Sequence, residues 1–340
     1  VTPAPLRLRL QDLAPRWAHF CLGIERFVRE ELHLDFAHTT LLVALSGGSD
    51  STALFRIIHF LAPRLDCRLA AAHLNHGLRP ESSAEAAAVA DLCRCFDVEC
   101  RVDAADVGAM AATRRCGLEE AGRVARYEFF VRAAEDLGAQ FILTAHTLND
   151  LAEDVLMRLT RGAGWPGLSG MEAVTLARRL VRPLLFTPKQ TLVDFLTDLD
   201  QPWSEDSSNA LPGCLRNRVR HELLPLFLRE NPSFLESVAD LWRLGRIDAA
   251  YWDMQIAGTS APFLPNVTLV AADKALRLRL FKACLDALGP GQAQTPALLQ
   301  LDRAWERRDF GATLQFPGDK RGRVTVDGVE FFRAERSLRL

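Results

Sequence analysis

Residues Leu41 to Leu45 form a short apolar run that ends abruptly in Ser46-Gly47-Gly48-Ser49-Asp50-Ser51. A run of that length bounded by glycines reads as a buried strand. Residues 52–61 then show a helical pattern that stops at Pro63. A glycine-rich turn between a strand and a helix lets backbone N–H groups converge on an anion without Cβ obstruction. The helix directs its positive end at the same point, and the serine hydroxyls add donors. Ser46, Gly47, Gly48, Ser49, Asp50 and Ser51 are therefore candidates for a phosphate site. The turn lacks the lysine of a Walker A loop, so backbone, hydroxyls and a metal would hold a pyrophosphate. Mg²⁺ favours one or two carboxylates plus phosphate oxygens, which makes Asp50 the candidate metal contact. The plainer alternative is a Gly-Gly turn with Asp50 and Ser51 as helix-start residues.

The same alternation continues along the chain. Strands read at 68–74, 98–102 and 140–144, with helices at 82–96, 118–137 and about 149–160. Such spacing predicts an α/β fold with a doubly wound, mainly parallel sheet. Ligands of such sheets bind beyond the carboxyl ends of the strands, where the polar residues after 45, 74 and 144 fall. A glycine-rich loop at 161–171 precedes a strand near 178–185 and a helix from Pro188 to about Leu199. Asn231-Pro232 marks a boundary, after which helical patterns run to about 288 and short strand-like pieces follow. The reading is a helical lead-in over 1–35, a nucleotide-binding domain over 36–230, and a smaller, mostly helical domain over 231–340. At 340 residues the chain is long enough for two domains.

Composition narrows the setting. No apolar run reaches the roughly 20 residues that cross a bilayer, no signal peptide is read, and a cytoplasmic location is expected. The eight cysteines contain no C-x-x-C pair, so reduced, packed thiols are expected. A net charge of −2 does not mark a nucleic-acid binder, and any polyanion site must come from a local basic patch.

The hexapeptide resembles the SGGxDS loop of the PP-loop ATP pyrophosphatase superfamily. Six further segments narrow the likeness. They are His73 to Arg79, Glu119 to Tyr127 with Arg123 and Arg126, Thr144 to Glu153, Arg158 to Met171, Arg182-Pro183-Leu184-Leu185, and Trp203 to Arg220. Together they resemble the tRNA(Ile)-lysidine synthetase family over about 40–230. The resemblance implies ATP and Mg²⁺, L-lysine, and an isoleucine tRNA with a CAU anticodon, with no membrane, and leaves a homodimer open. It implies that a wobble cytidine is adenylated through its C2 oxygen and that the lysine ε-amine then displaces AMP. Two positions depart from the family, which has histidine where Thr147 stands and aspartate where Asn149 stands.

The implied chemistry assigns roles. Presenting a neutral lysine amine at pH 7 costs about 4–5 kcal/mol, because free lysine has a pKa of about 10.4. Asp150 and Glu153, three apart on one helix face, could hold the ammonium and accept its proton. A capping box from Thr147 to Asp150 is the competing explanation. Asp50, Asp150, Glu153 and Arg126 form the catalytic set. Arg126 and Arg218 are matched to the lysine carboxylate and the AMP phosphate, while Arg123 and Arg126 could equally solvate a helix face. His76 and His146 are candidate adenylate contacts, or structural hydrogen-bonders. Arg161, Gly162, Gly164, Arg216, Arg218 and Arg220 are candidate RNA contacts. Core packing is the safer expectation for Trp203. The competing functions are a sulfur-adding PP-loop tRNA enzyme and a non-catalytic nucleotide-binding homologue.

Overall fold

The computed structural model describes residues 8–75, 82–114, 116–204, 215–260 and 262–334. The chain divides into two compact units, residues 1–161 with 170–240, and residues 162–169 with 241–340.

The first unit opens with α1 (Pro15–Arg26), followed by β1 (Thr40–Ala44), α2 (Ser49–Leu65), β2 (Arg68–Asn75), α3 (Ser82–Cys95) and β3 (Glu99–Ala104). Then come α4 (Val107–Arg114), α5 (Leu118–Asp136), β4 (Phe141–Leu143), α6 (Leu148–Thr160), β5 (Val174–Thr175), β6 (Leu180–Val181) and α7 (Lys189–Asp198). The strands form one sheet in the order β3-β2-β1-β4-β6-β5. Every pairing is parallel except β5 with β6. Side chains alternate across it as a two-sided sheet requires. Leu41 and Val43 of β1 join the core built with α1, α2 and α7, while Leu42 joins the core built with α5. The strand order reverses direction at β1 and β4, and this is the crevice where ligands of such sheets sit.

Several boundaries differ from the sequence reading. Helix α2 starts at Ser49, so the serines and Asp50 of the loop form its first turn, and it continues past Pro63 to Leu65. Pro63 lies two residues before the end of α2, and Asp66 closes the helix with φ +50°. Helix α4 has no counterpart in the sequence reading, although Asp106 Oδ1 accepts from Ala109 N at 2.9 Å as a helix-starting aspartate does. The expected strand at 178–185 is reduced to Leu180–Val181, preceded by a short antiparallel partner.

A four-residue helix, α8 (Leu215–Arg218), passes through a π-helical turn (Val219–Leu223) into α9 (Leu224–Glu230). Next comes α10 (Phe234–Gln255), and then the second unit's β7 (Phe263–Pro265), α11 (Asn266–Ala271), α12 (Lys274–Ala287) and α13 (Thr295–Glu306). Strands β8 (Thr313–Phe316), β9 (Lys320–Val324) and β10 (Gly328–Arg333) complete an antiparallel sheet in the order β7-β10-β9-β8. Its core includes Leu269, Phe281, Leu285, Leu301 and Phe331. Helix α13 occupies a stretch read from sequence as strand-like. The reason is that Leu298 and Leu301, three apart, pack into this core.

Candidate functional site

The loop after β1 is held at both ends. Leu45 N donates to Ala72 O at 2.9 Å, and the His73 ring nitrogen Nδ1 lies 2.9 Å from Leu45 O. Gly47 has φ +91°, and a Cβ there would sit 3.3 Å from Val89 Cγ2 and 3.6 Å from Ser204 Oγ. Both constraints favour glycine. Hydroxyls tie the loop together: Ser46 Oγ and Ser51 Oγ are 2.9 Å apart, and Thr52 Oγ1 donates to Gly47 O at 3.3 Å. Gly48 is the N-cap of α2 and supplies no side-chain cap. The first-turn N–H groups of Ser49, Asp50 and Ser51 therefore point into an open, positively polarised helix end, which suits a phosphate.

Asp50 stands in that first turn with Lys189 Nζ 3.5 Å from its carboxylate. Burial pushes its carboxyl up, Lys189 opposes this, and the charge of Asp150 pushes it up again. Asp50 follows β1 and Asp150 follows β4, neighbours in the sheet, and each feels the other's charge. Asp50, a carboxylate beside an open phosphate cradle, is the kind of ligand that Mg²⁺ takes together with phosphate oxygens. Among the described residues no cluster of three or more His, Cys, Asp and Glu forms an all-protein metal cage.

The loop after β4 builds the other wall. Thr147 is buried and caps α6: Asp150 N donates to its hydroxyl at 3.3 Å, and Thr147 N donates to Asp150 Oδ2 at 2.9 Å. The capping box is therefore present, and it fixes the Asp150 carboxylate. Glu153, one turn on, is 2% exposed. Two arginines meet this acid pair. Arg216 donates to Asp150 Oδ1 at 2.9 Å and to Glu153 Oε2 at 3.0 Å, and Arg220 donates to Glu153 Oε1 at 2.6 Å. Burial works against the charges on Arg216 and Arg220, but the two carboxylates outweigh it and hold both guanidiniums above their ordinary value. Burial likewise pushes Asp150 up, yet His146, Arg216 and the Thr147 donors hold it below the usual carboxylate range.

His146 projects beside this cluster, with Nδ1 3.0 Å from Thr144 Oγ1. Burial pushes it down to about 4; Asp150 opposes the shift, and Arg182, Arg216 and Arg126 add to it. It is neutral at pH 7. Arg182 is buried, gives Nη1 to Glu172 O at 2.6 Å, and keeps a buried Nε with no acceptor among the described residues. Arg126 is exposed over part of its length, while desolvation by the groups packed around it lowers its guanidinium, Tyr127 opposes, and Arg216 lowers it further. Arg216 and Arg220 thus hold the two carboxylates, and the charges of Arg126 and Arg182 both act on His146 beside them. The wall carries both charge signs, with guanidiniums suited to anions and carboxylates suited to an ammonium.

Some expected residues fall elsewhere. Asp150 and Glu153 do not present empty carboxylates, because Arg216 and Arg220 fill them. Those two arginines, expected on RNA phosphates, are four apart on a helical segment and so share a face. Arg218, between them, is exposed, whereas Arg216 and Arg220 are the ones that meet the acids. Arg161 is the exposed C-cap of α6. Gly162 (φ +72°) and Gly164 belong to the second unit, and a Cβ at either would meet nothing within 4 Å. His76 lies outside the described residues. Trp203 packs against the first core as expected. Both departures from the family pattern have local partners: Thr147 caps α6, and Asn149 Oδ1 accepts from Lys189 N at 2.9 Å at the start of α7. Sequence reasoning gave no role to Lys189, Ser204 or Arg182. Arg182 carried a signal through its Arg-Pro-Leu-Leu segment, whereas Lys189 and Ser204 reach the loop only through tertiary contact. The described cysteines are all free thiols, as expected.

Residues 22–227 match the PP-loop domain family. A tRNA(Ile)-lysidine synthase of Nitratidesulfovibrio vulgaris is 46% identical over 315 residues, which cover 85% of this chain and 91% of that protein. One from Deinococcus radiodurans is 40% identical over 235 residues, 69% of this chain and 38% of that protein, so the chain spans well under half of that longer relative. The U34-tRNA thiolase NcsA of Methanococcus maripaludis shares the fold, with a TM-score of 0.53 at 18% identity over 67% of this chain and 79% of that one. The doubly wound sheet with a glycine loop at its switch point and the 46% identity over 85% of the chain lead to one assignment: the chain belongs to the tRNA(Ile)-lysidine synthase family of PP-loop proteins.

Proposed function

We propose that the protein is an ATP-dependent carbon–nitrogen ligase that converts the wobble cytidine of an isoleucine tRNA with a CAU anticodon to lysidine. The carrying observation is the pairing, across one crevice, of the open N-terminus of α2 with the arginine–carboxylate wall at the start of α6. In the reaction the cytidine C2 oxygen attacks the α-phosphate of ATP and pyrophosphate leaves. The lysine ε-amine then attacks C2, and AMP leaves with the oxygen.

The chain's own groups divide the work. Gly47, Gly48 and the first-turn N–H groups of α2 cradle the pyrophosphate, with Ser46 and Ser51 bracing the loop. Asp50 would hold Mg²⁺, whose charge would screen the leaving phosphates. Arg126, Arg216 and the spare Nε–H of Arg182 face the α-phosphate and the lysine carboxylate. Asp150 and Glu153 receive the lysine ammonium as Arg216 and Arg220 turn toward these anions, and then take its proton. Neutral His146 orients the adenylate by hydrogen bonding and carries no charge. Arg161, Gly162, Gly164, Arg218 and the domain over 231–340 are assigned to the tRNA, and His76 to the adenylate. The reaction belongs in the cytoplasm.

Sulfur addition is the weaker alternative, because relatives at 40% identity and above are lysidine synthases while the thiolase shares only the fold. The test is mass analysis of anticodon nucleosides after incubation with ATP, lysine and the isoleucine tRNA transcript. The expected product is cytidine heavier by lysine less water, dependent on both ATP and lysine. Unchanged cytidine, or a sulfur-bearing nucleoside when a sulfur donor is added, would overturn the proposal.

A further inference from the structure

The segment Glu119 to Tyr127 contributes more than Arg126. Tyr127 and Arg123, four apart, lie on one face of α5, and that face forms a cleft of about 510 Å³ with Arg178 from the turn before β6. The guanidinium carbons of Arg178 and Arg123 lie 4.9 and 5.7 Å from the centroid of the Tyr127 ring. Both arginines are exposed, and neither has a carboxylate partner among the described residues. Other charges in the cleft are already matched: Glu128 pairs with Arg114 at 2.9 Å and Arg132 with Asp103 at 3.5 Å. Glu120 is the remaining acid of the lining. Two guanidinium planes around one aromatic ring, with apolar Val124 and Val131 beside them, make a surface for an unstacked base and its phosphate.

The cleft adjoins the site along the chain, since Tyr127 follows Arg126 on α5. The phenol of Tyr127 interacts with the Arg182 guanidinium, and Arg182 in turn bears on His146. Arg126, the residue before Tyr127 on α5, feels the charge of Arg216. A strand of RNA whose target base enters at His146 would therefore carry its neighbouring nucleotide over Tyr127.

We propose that Arg123, Tyr127 and Arg178 form a subsite for the nucleotide next to the modified cytidine, with the arginines on its phosphate and the ring cluster stacking on its base. The proposal deepens the RNA-directed reading above and rests on it. The choice of single-stranded RNA over an acidic protein segment comes from the aromatic between the cations, which stacks bases and offers a peptide carboxylate nothing.

The test uses the full chain and an anticodon stem–loop RNA. Binding is measured by filter retention over a range of salt, and lysidine formation is measured in parallel. Arg123→Ala/Arg178→Ala is expected to weaken RNA binding about tenfold or more. It should also lower the slope of log Kd against log salt by about 0.7, as for one single-strand phosphate. The ATP-induced rise in Tm should be unchanged. Arg178→Lys should keep the salt slope and lose part of the affinity, because it retains charge and loses the planar face. RNA affinity and salt slope equal to wild type in the double variant would overturn the subsite. Wild-type protein that binds the RNA and makes no lysidine would overturn the proposed reaction, while the variants would still report on the cleft. Wild-type protein that binds no RNA would overturn both.

Discussion

Glu153 shows how much of this site rests on single side chains. It is 2% exposed and accepts from both Arg216 and Arg220. Glu153→Gln keeps its shape and removes its charge, leaving two guanidiniums facing one acid. Breaking one side of a buried pair costs about 3–5 kcal/mol, and Arg216 and Arg220 are about a third exposed. The expected loss is therefore nearer about 2 kcal/mol. A lower urea midpoint together with lost lysidine formation would show it, and a midpoint equal to wild type would contradict the network's role. His146 gives a pH prediction. Its folded pKa is depressed from 6.5 to about 4, so the unfolded chain binds the extra proton between those values. Its contribution to stability is complete above pH 6.5 and is lost as pH falls toward 4. His146→Gln should flatten the rise of unfolding free energy across that window, and an identical slope in both proteins would refute the assignment.

Among the elements, two helix starts meeting at the β1–β4 switch do opposite things. Helix α6 is closed by its own Thr147–Asp150 box, which positions a carboxylate. Helix α2 is left open at Gly48, which leaves donors for an anion. Gly47 turns the chain into α2 with φ +91°, where a side chain is strained. Gly47→Ala should cost about 1–2 kcal/mol of stability. It should also remove most of the Tm rise that ATP produces in wild type, because the N–H groups no longer converge. A full ATP-induced shift in this variant would show that the loop does not hold the nucleotide. Across the sheet, Gly170 (φ +104°) lets the chain pass α6 closely, since a Cβ there would lie 2.5 Å from Leu151 Cδ1.

At the scale of the molecule, each unit buries its own core. The sheet of the first is covered on both faces, and the second packs α12 and α13 on an antiparallel sheet. The second core also holds a buried ion pair, with Arg277 Nε donating to Asp302 Oδ1 at 2.8 Å. A chain ended at Asp240 should therefore keep the ATP-dependent Tm shift of the first unit. It should bind tRNA at least about tenfold more weakly if the second unit grips the tRNA body. Equal tRNA affinity with and without residues 241–340 would remove that role. No described helix is long and apolar enough to cross a membrane.

The sequence alone determined the alternation of β1, α2, β2, α3 and β3, because buried strands of a parallel sheet are short apolar runs closed by turn residues. It also located the phosphate loop, because a glycine pair between strand and helix is a local signal. It placed Asp150 and Glu153 on one helix face for the same local reason. Only the tertiary structure decided what those acids meet. Arg216 and Arg220 are more than sixty residues away in the chain, and that two arginines four apart would face two acids three apart depends on how α6 and the π-helical turn pack. The same holds for Lys189 beside Asp50 and for Tyr127 between two arginines. Spacing along a chain reports which residues share a face. Which faces meet is settled by the burial of the cores beneath them.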